Sequence, residues 1–298
     1  MSCPHCGEPT AGADRFCESC GAPLDPGPAP LHHRETDLGL IAAVSDRGLH
    51  RRQNDDYYAI EAVNGRLLAV VCDGVASTDD AGPAAAAAAR AALDRLTAGA
   101  PAASDWSALA QEAVDRAQEA VLPAAGPATA ADGSTTLTLA LVQPGEIVVA
   151  NVGDSRAYWI GDDGRNLLLS VDDSWQNFAT AAGFPEYVAR DPSRLHEITA
   201  WLGPDAELVA PHVVRHSPEG SGLVVLCSDG LWNYVEAPDS LGDLVSKSVD
   251  RRPANVARHL VQAAIDAGGA DNVTVAVLAL TQLQETVQEK GGIGDEHV

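Results

Sequence analysis

Basic residues are scarce in this 298-residue sequence, and long hydrophobic runs are missing from it. The chain has 19 Lys and Arg residues against 42 Asp and Glu residues, which gives a formal net charge of −23. A chain this acidic repels the phosphate backbone of nucleic acid, so neither DNA nor RNA is expected as a partner. No apolar stretch reaches the roughly 20 residues that cross a bilayer, so no membrane partner is expected either.

Aromatic residues are also few, at 4% of the chain, yet 46% of the residues are hydrophobic. That share is enough for the core of one large domain, and it predicts a soluble enzyme. The sequence has no recognisable signal peptide, which favours a cytoplasmic location. Arg far outnumbers Lys and Ala is abundant, as in bacteria with GC-rich DNA such as the actinobacteria.

Four of the six cysteines form two C-x-x-C pairs near the N-terminus, each followed by Gly: Cys3, Cys6, Cys17 and Cys20. Four thiolates at this spacing predict a zinc ribbon over residues 1–24 that binds one structural Zn²⁺, with disulfides or a redox pair as alternatives. So short a segment depends on the metal to fold. Residues 25–36, which are rich in Pro, are predicted to be a linker. The ribbon is expected to dock a protein partner or to self-associate, unless it is a simple structural cap.

Three acidic motifs lie at the ends of apolar runs that have the length and Val content of buried strands. They are Asp73-Gly74, Asp229-Gly230 and Asp271-Asn272. Each motif alone is compatible with an ordinary turn. Several carboxylates brought together by strand ends form a site of hard oxygen ligands, and such ligands suit Mg²⁺ or Mn²⁺. Cys72 and Cys227 lie beside these aspartates in apolar surroundings and are interpreted as core residues.

Two further motifs add charge of both signs. Arg51 begins RRQNDD, in which it stands close to Asp55 and Asp56, and a planar guanidinium is suited to binding phosphate. The second motif, NVGDSRAY, contains Asp154 between two strand-like segments and by itself predicts a hairpin turn.

Taken in order, these segments resemble the metal-dependent type 2C serine/threonine protein phosphatases. The resemblance extends from about Leu38 to Leu280 and rests on RRQNDD, VVCDG, DGSTTLTLAL, NVGDSRAY, SRLHEITAWLG, LCSDGLW and DNVTVAVL. It implies an α+β fold over residues 37–283, a four-layer α-β-β-α sandwich of two antiparallel sheets flanked by helices. Residues 284–298 are predicted to be a disordered tail.

The resemblance also implies roles for individual residues. Two Mn²⁺ or Mg²⁺ ions would be held by Asp73, the Gly74 carbonyl, Asp229, Asp271 and, largely through water, Asp55. Asp154 would contribute to a third, weaker metal site.

Three other residues would act on the substrate or support the site. Arg51 would grip the substrate phosphate, and Asp56 would orient metal-bound water. Asn272 would support the metal ligands from behind. The implied activity is hydrolysis of phosphoserine and phosphothreonine in proteins, with serine/threonine kinases and their substrates as partners.

The sequence departs from the family pattern in three places. Residues 75–80 contain no histidine that could act as the leaving-group acid, Asp55 replaces the usual glutamate, and Asp172 or Asp173 stands where a histidine is common. These departures keep two alternatives open: a weak or inactive phosphatase-fold module that binds phosphoproteins or scaffolds signalling partners, and a cation-binding protein without phosphate chemistry.

Periodicity and turn residues predict the order of the elements. Strands are expected near residues 38–46, 57–63, 66–72, 134–142, 146–152, 155–161, 207–215, 222–228 and 273–280. Helices are expected near 80–98, 105–122, 238–248 and 253–267. Residues 172–203 hold several aromatic side chains, which ordinary helix packing would explain.

Overall fold

The computed structural model describes residues 32–75, 81–124, 133–194, 197–206 and 209–281. The predicted zinc ribbon, most of the linker, part of the loop after Asp73-Gly74 and the C-terminal tail lie outside these ranges. The zinc ligands Cys3, Cys6, Cys17 and Cys20 therefore remain a prediction from sequence.

Thirteen strands are present in the described residues. They are β1 (His33–Asp37), β2 (Ile41–Asp46), β3 (Tyr57–Val63), β4 (Arg66–Cys72), β5 (Gly74–Val75), β6 (Ser134–Thr135), β7 (Leu137–Gln143), β8 (Glu146–Val152), β9 (Arg156–Gly161), β10 (Asn166–Leu168), β11 (His212–His216), β12 (Gly222–Cys227) and β13 (Val273–Leu280).

Seven α-helices accompany them in the same ranges. They are α1 (Gly82–Gly99), α2 (Trp106–Ala124), α3 (Trp175–Ala181), α4 (Glu186–Ala189), α5 (Asp229–Trp232), α6 (Pro238–Ser246) and α7 (Pro253–Asp266). Pro83, Pro238 and Pro253 lie in the first turns of α1, α6 and α7, where a missing N–H costs no helical hydrogen bond.

The strands form two large antiparallel sheets. One has the order β1-β2-β13-β12-β9-β10 and the other β11-β8-β7-β4-β3, while β5 and β6 form a short ribbon. Alternate residues of the two sheets, such as Ala69, Val71, Leu226 and Ala276, pack against each other between the sheets. Helices α1 and α2 cover the outer face of one sheet, and α5, α6 and α7 cover that of the other. This is the predicted four-layer sandwich.

Small side chains allow α1 to lie close to its sheet and to α2. Ala84, Ala85, Ala88, Ala89 and Ala92 recur at helical spacing and are all buried. Ala also has the highest helix propensity, so one residue type provides both the helix and its close packing. No helix among the described residues is long and apolar enough to cross a membrane.

The structure corrects the predicted linker over residues 25–36. Residues 33–36 belong to β1, an edge strand that pairs with β2 in the register His33↔Asp46. Its sequence, HRETD, is polar and half exposed, so no apolar alternation marked it as a strand. Side-chain contacts hold it in place: His33 Nδ1 lies 2.7 Å from an Asp46 carboxylate oxygen, and Arg258 donates to Glu35 over 2.7 Å.

Several short elements were not predicted. Strand β10 and helices α3, α4 and α5 span three to seven residues, too few for a periodic pattern to appear. The strand predicted near 207–215 begins at His212. The aromatic residues of α3, α4 and the turn between them are only partly packed: the Trp175 ring lies 5.7 Å from Phe178 and 5.9 Å from Phe184, whereas Tyr187 is 80% exposed.

Candidate metal centre

Strand pairing brings four of the predicted carboxylates to one edge of the sandwich. Tyr57 at the start of β3 pairs with Cys72 at the end of β4, so Asp55 and Asp73 are adjacent. Cys227 at the end of β12 pairs with Val275 near the start of β13, which places Asp229 close to Asp271 in the same way. Because antiparallel neighbours start and end at the same edge, each sheet contributes two carboxylates.

These residues line a cavity of about 230 Å³. Its walls contain most of the residues that the sequence singled out, namely Arg51, Asp55, Asp73, Gly74, Asp154, Asp229, Asp271 and Asn272. Thr136, Val75 and Ile198 complete the lining. Five carboxylates therefore face one space, and Arg51 is the single cationic residue among the described residues that line it.

Crowding and burial make the negative charges costly. Burial, followed by repulsion from neighbouring carboxylates, raises the pKa of Asp73 well above its usual range. The same causes raise the pKa of Asp229 and bring the pKa of Asp154 to about 7. Arg51 donates to Asp271 and offsets part of this charge, and that contact raises the pKa of the guanidinium. A divalent cation would relieve the remaining repulsion.

Asp56 does not line the cavity. One of its carboxylate oxygens accepts a hydrogen bond from the hydroxyl of Ser228 over 2.7 Å. Ser228 is the residue directly before Asp229. The other oxygen, Oδ1, is buried and has no hydrogen-bond partner among the described residues. Burial raises the pKa of Asp56 to about 7. Asp56 therefore adds a buried carboxyl group behind the residues that line the cavity.

Asn272 joins the two sheets beside the cavity. Its Oδ1 accepts the Asp55 backbone N–H over 2.8 Å, and its Nδ2 donates to the carbonyls of Arg47 and Gln53 over 2.9 Å. The loop that carries Arg51 and Asp55 is therefore held by the residue next to Asp271. Asp55 Oδ1 in turn accepts from the backbone N–H of Gly82, at the first residue of α1, over 3.1 Å.

Two threonines fix the backbone of Asp73, and sequence reasoning gave them no role. The Asp73 N–H donates to Thr136 Oγ1 over 3.1 Å, and its carbonyl accepts from the Thr135 hydroxyl over 2.9 Å. Thr136 Oγ1 also lies 2.8 Å from Ser155 Oγ. Two consecutive threonines before the alternating LTLAL strand were the available signal for these buried hydroxyl groups.

Close backbone approach explains the glycine after Asp229. A Cβ built on Gly230 would lie 1.9 Å from the Asn272 carbonyl oxygen, so only glycine allows the two acidic motifs to lie this close. Gly48 has the same function on the other side, since its φ is +72° and its Cβ would lie 2.1 Å from the Asp271 carbonyl oxygen.

The two aspartates that stand where a histidine is common have separate partners. Asp172 accepts from Arg156 Nε and Nη2 at 2.7 to 3.2 Å, in a pair that is almost fully buried. Asp173 accepts the Gly153 N–H over 2.9 Å and lies 2.8 Å from His212 Nε2. Both therefore brace the turn that carries Asp154. Cys72 and Cys227 are free and buried, and burial raises the pKa of each thiol, as their interpretation as core residues requires.

The donor set matches Mg²⁺ or Mn²⁺ in chemistry, since the described lining residues offer carboxylates and the Gly74 carbonyl and include no histidine or cysteine. Asp56 Oδ1 has no hydrogen-bond partner among the described residues, and the pKa of Asp73 is raised. Both observations indicate that the site lacks positive charge. In the part of the chain that the structure describes, no group of three or more His, Cys, Asp or Glu side chains already has the geometry that holds an ion. The fit is therefore one of charge and donor type.

The chain is similar to known phosphatases over most of its length. A family model described as Protein phosphatase 2C matches residues 49–263. The serine/threonine protein phosphatase PstP of Mycobacterium tuberculosis is 32% identical over 248 residues, which cover 82% of this chain and 45% of that protein. The chain thus spans less than half the length of this curated relative.

Solved structures show the same fold. The crystal structure of the M. tuberculosis serine/threonine phosphatase PstP/Ppp superimposes with a TM-score of 0.65 at 26% identity, covering 82% of this chain and 98% of that one. The catalytic domain of PstP in complex with two manganese ions gives a TM-score of 0.65 at 27% identity, covering 80% and 97% of the two chains.

Proposed function

Because the chain belongs to the protein phosphatase 2C family, we propose that it hydrolyses phosphoserine and phosphothreonine in proteins with the help of divalent metal ions. The observation that supports this best is the convergence of five carboxylates, Arg51 and the Gly74 backbone on one cavity at the edge of both sheets. Phosphate monoesters are extremely resistant to hydrolysis, so an enzyme must activate a nucleophile and neutralise a dianion.

Two Mn²⁺ or Mg²⁺ ions, when bound, supply acidified water and positive charge for this chemistry. Asp73, at the end of a strand of the five-stranded sheet, would hold both ions, and the carbonyl of Gly74 would be a further ligand of one of them. Asp229 and Asp271 would hold one ion from the six-stranded sheet. Asp55 would serve the other largely through water, since its Oδ1 is already bonded to the start of α1. Asp154 would contribute to a third, weaker site.

Arg51 is the cationic side chain that can receive the phosphate. It is more than half exposed at the cavity mouth and donates to Asp271, so an incoming phosphate can exchange with that carboxylate. Its planar fork of donors fits two phosphate oxygens. Asp56, which accepts a hydrogen bond from Ser228, would orient water at the site. Asn272 would hold the loop that carries Arg51 and Asp55 next to Asp271.

The cellular setting is also part of the proposal. Phosphorylated proteins are the substrate class that the related phosphatases indicate. We expect serine/threonine kinases and the proteins that they phosphorylate to be the partners, in a bacterial cytoplasm. One structural Zn²⁺ would be bound by Cys3, Cys6, Cys17 and Cys20. Metal analysis of the purified full chain tests the zinc, because a C3S substitution should lower the zinc content while leaving the manganese unchanged.

The phosphatase test uses metal-stripped full chain with para-nitrophenyl phosphate and a phosphothreonine peptide. Turnover is expected only after Mn²⁺ or Mg²⁺ is added back, and Asp229→Asn should abolish it. Asp243→Asn, an exposed change on α6, is the matched control and should retain full activity. Folded protein that binds Mn²⁺ in calorimetry but turns over neither substrate would refute the enzyme and favour the phosphoprotein-binding alternative.

A further inference from the structure

A second cavity lies beside the metal centre and is larger, at about 490 Å³. Asp154 lines both cavities, so they are neighbours. The walls of the second cavity come from the turn around Asp154 and Arg156, from the segment that leads into α3, and from α5 and the residues after it. A side chain next to the phosphorylated residue of a substrate could enter it while the phosphate occupies the first cavity.

The lining of this second cavity is acidic. Asp154, Asp172, Glu197 and Glu236 contribute carboxylates, and Arg156 is the only cationic residue in the described part of the lining. Arg156 is 7% exposed and is committed to Asp172, whose two oxygens both accept from it. Its contact with Glu236 is 3.4 Å long, and 75% of the Glu236 side chain is exposed. Glu236 therefore keeps most of its capacity to accept hydrogen bonds from a ligand.

Trp232 and Asp154 are buried parts of the cavity lining, each 8% exposed. The Trp232 Nε1–H is buried and has no acceptor among the described residues. Asp154 lies close enough to Asp172 and Asp229 for their negative charges to repel its own. A basic side chain in the cavity would offset this concentration of negative charge.

The cavity also has a rigid wall. The Arg156 guanidinium lies 4.0 Å from the centre of the Trp232 ring and is also held by its ion pair with Asp172. Tyr158 strengthens this wall by donating its hydroxyl hydrogen to the Glu236 carbonyl over 3.2 Å, which also fixes the backbone that carries Glu236. Because the backbone at Glu236 is already ordered, only its side chain has to be immobilised when a cation binds, which lowers the entropic cost.

We propose that this cavity is a substrate subsite that takes the Lys or Arg side chain of a residue close to the phosphorylated serine or threonine, with Glu236 as its main charged partner. The inference rests on the proposed phosphatase function, because it assumes that the phosphate occupies the neighbouring metal centre. A volume near 500 Å³ is ample for one long side chain and its ordered water.

The test compares phosphothreonine peptides that differ at one position, with Arg, Gln or Glu placed in turn within three residues on either side of the phosphothreonine. At the favoured position kcat/KM should be higher for the Arg peptide than for the Gln peptide by about threefold to fivefold, as expected for one half-exposed ion pair. Glu236→Gln should remove most of this preference, chiefly through KM. Turnover of para-nitrophenyl phosphate, which has no flanking residue, should stay unchanged.

Glu219→Gln is the matched control, because Glu219 is exposed to a similar extent at 74% but lies in the turn before β12, away from both cavities. It should leave the preference for Arg intact. Equal rates for the three peptides at every position, a preference for the Glu peptide, or an equal loss for all peptides in Glu236→Gln would each overturn the subsite.

Failure of the proposed function is distinguishable from failure of the subsite. If the protein with Mn²⁺ turns over neither peptide nor para-nitrophenyl phosphate, binding of the same fluorescent peptides is measured by anisotropy. Tighter binding of the Arg peptide that Glu236→Gln abolishes supports the subsite without catalysis. Equal binding of the three peptides overturns it.

Discussion

Asp56 should make the metal-stripped protein less stable as the pH rises from about 5 to about 8. Its pKa is near 4 in an unfolded chain and about 7 in the folded protein, where burial disfavours the charged form. Between these values the folded state binds a proton that the unfolded state has lost, so the free energy of unfolding decreases with increasing pH. The stabilisation is complete below about pH 4 and is lost as the pH passes about 7.

The structure sets the size of this effect. The full difference between the two pKa values corresponds to on the order of 4 kcal/mol, of which on the order of 3 kcal/mol falls between about pH 5 and pH 8. For a chain of this length such a change lowers Tm by on the order of 10 °C. Asp73, Asp154 and Asp229 add to the effect with the same sign, since burial raises the pKa of each. Asp56→Asn removes one titrating group but keeps an oxygen for the Ser228 hydroxyl.

The assay is thermal unfolding followed by circular dichroism in the presence of a chelator, at pH values between about 5 and 8. The wild type should lose Tm with increasing pH, Asp56→Asn should lose less, and Asp243→Asn should match the wild type. Added Mn²⁺ should restore Tm more strongly near pH 8 than near pH 5, because fewer of the carboxylates carry a proton at the higher pH. Equal slopes for the wild type and Asp56→Asn would refute the assignment of a raised pKa to this carboxyl group.

Three further outcomes follow from single contacts. Gly230→Ala should lower the free energy of unfolding in urea by about 3 kcal/mol, because its Cβ would collide with the Asn272 carbonyl, whereas Gly220→Ala, in open space, should change it by less than about 0.5 kcal/mol. Arg51→Ala should lower kcat/KM for para-nitrophenyl phosphate by about 100-fold, mainly through KM, and an unchanged KM would contradict its role in phosphate binding. Cys72 and Cys227 should resist iodoacetamide in the native protein, as judged by peptide mapping, and should react only after denaturation.

The length and pattern of an element decided whether it could be predicted. Strands such as Arg66–Cys72 and Val273–Leu280 are continuous apolar runs, and they were located to within a residue or two. The edge strand His33–Asp37 is polar and owes its conformation to pairing with β2, a partner that local sequence does not reveal. Helix α5 spans only four residues and is too short for any periodic signal.

The candidate site divides in the same way. The Asp-Gly and Asp-Asn pairs at the ends of apolar runs identified the carboxylates, because residue type and position along the chain are enough to recognise oxygen ligands at strand ends. Asp56 was expected to orient water at the site. The structure shows in addition that the Asp56 carboxyl group is buried behind the lining residues. This burial depends on how the two sheets pack and is not visible in the local sequence. The same is true of Thr135 and Thr136, which hold the Asp73 backbone across 62 residues or more of sequence.

The sequence by itself determined which carboxylates belong to the candidate metal centre, the order of the major elements and the acidic character of the chain, since each depends on residue type and local spacing. Only the tertiary structure decided which of these residues lie close together. It brought Asp154 between two cavities, paired Arg156 with Asp172, and left Glu236 exposed beside them. These residues lie up to 82 positions apart, and only the packing of β9, α5 and the segment before α3 makes them neighbours.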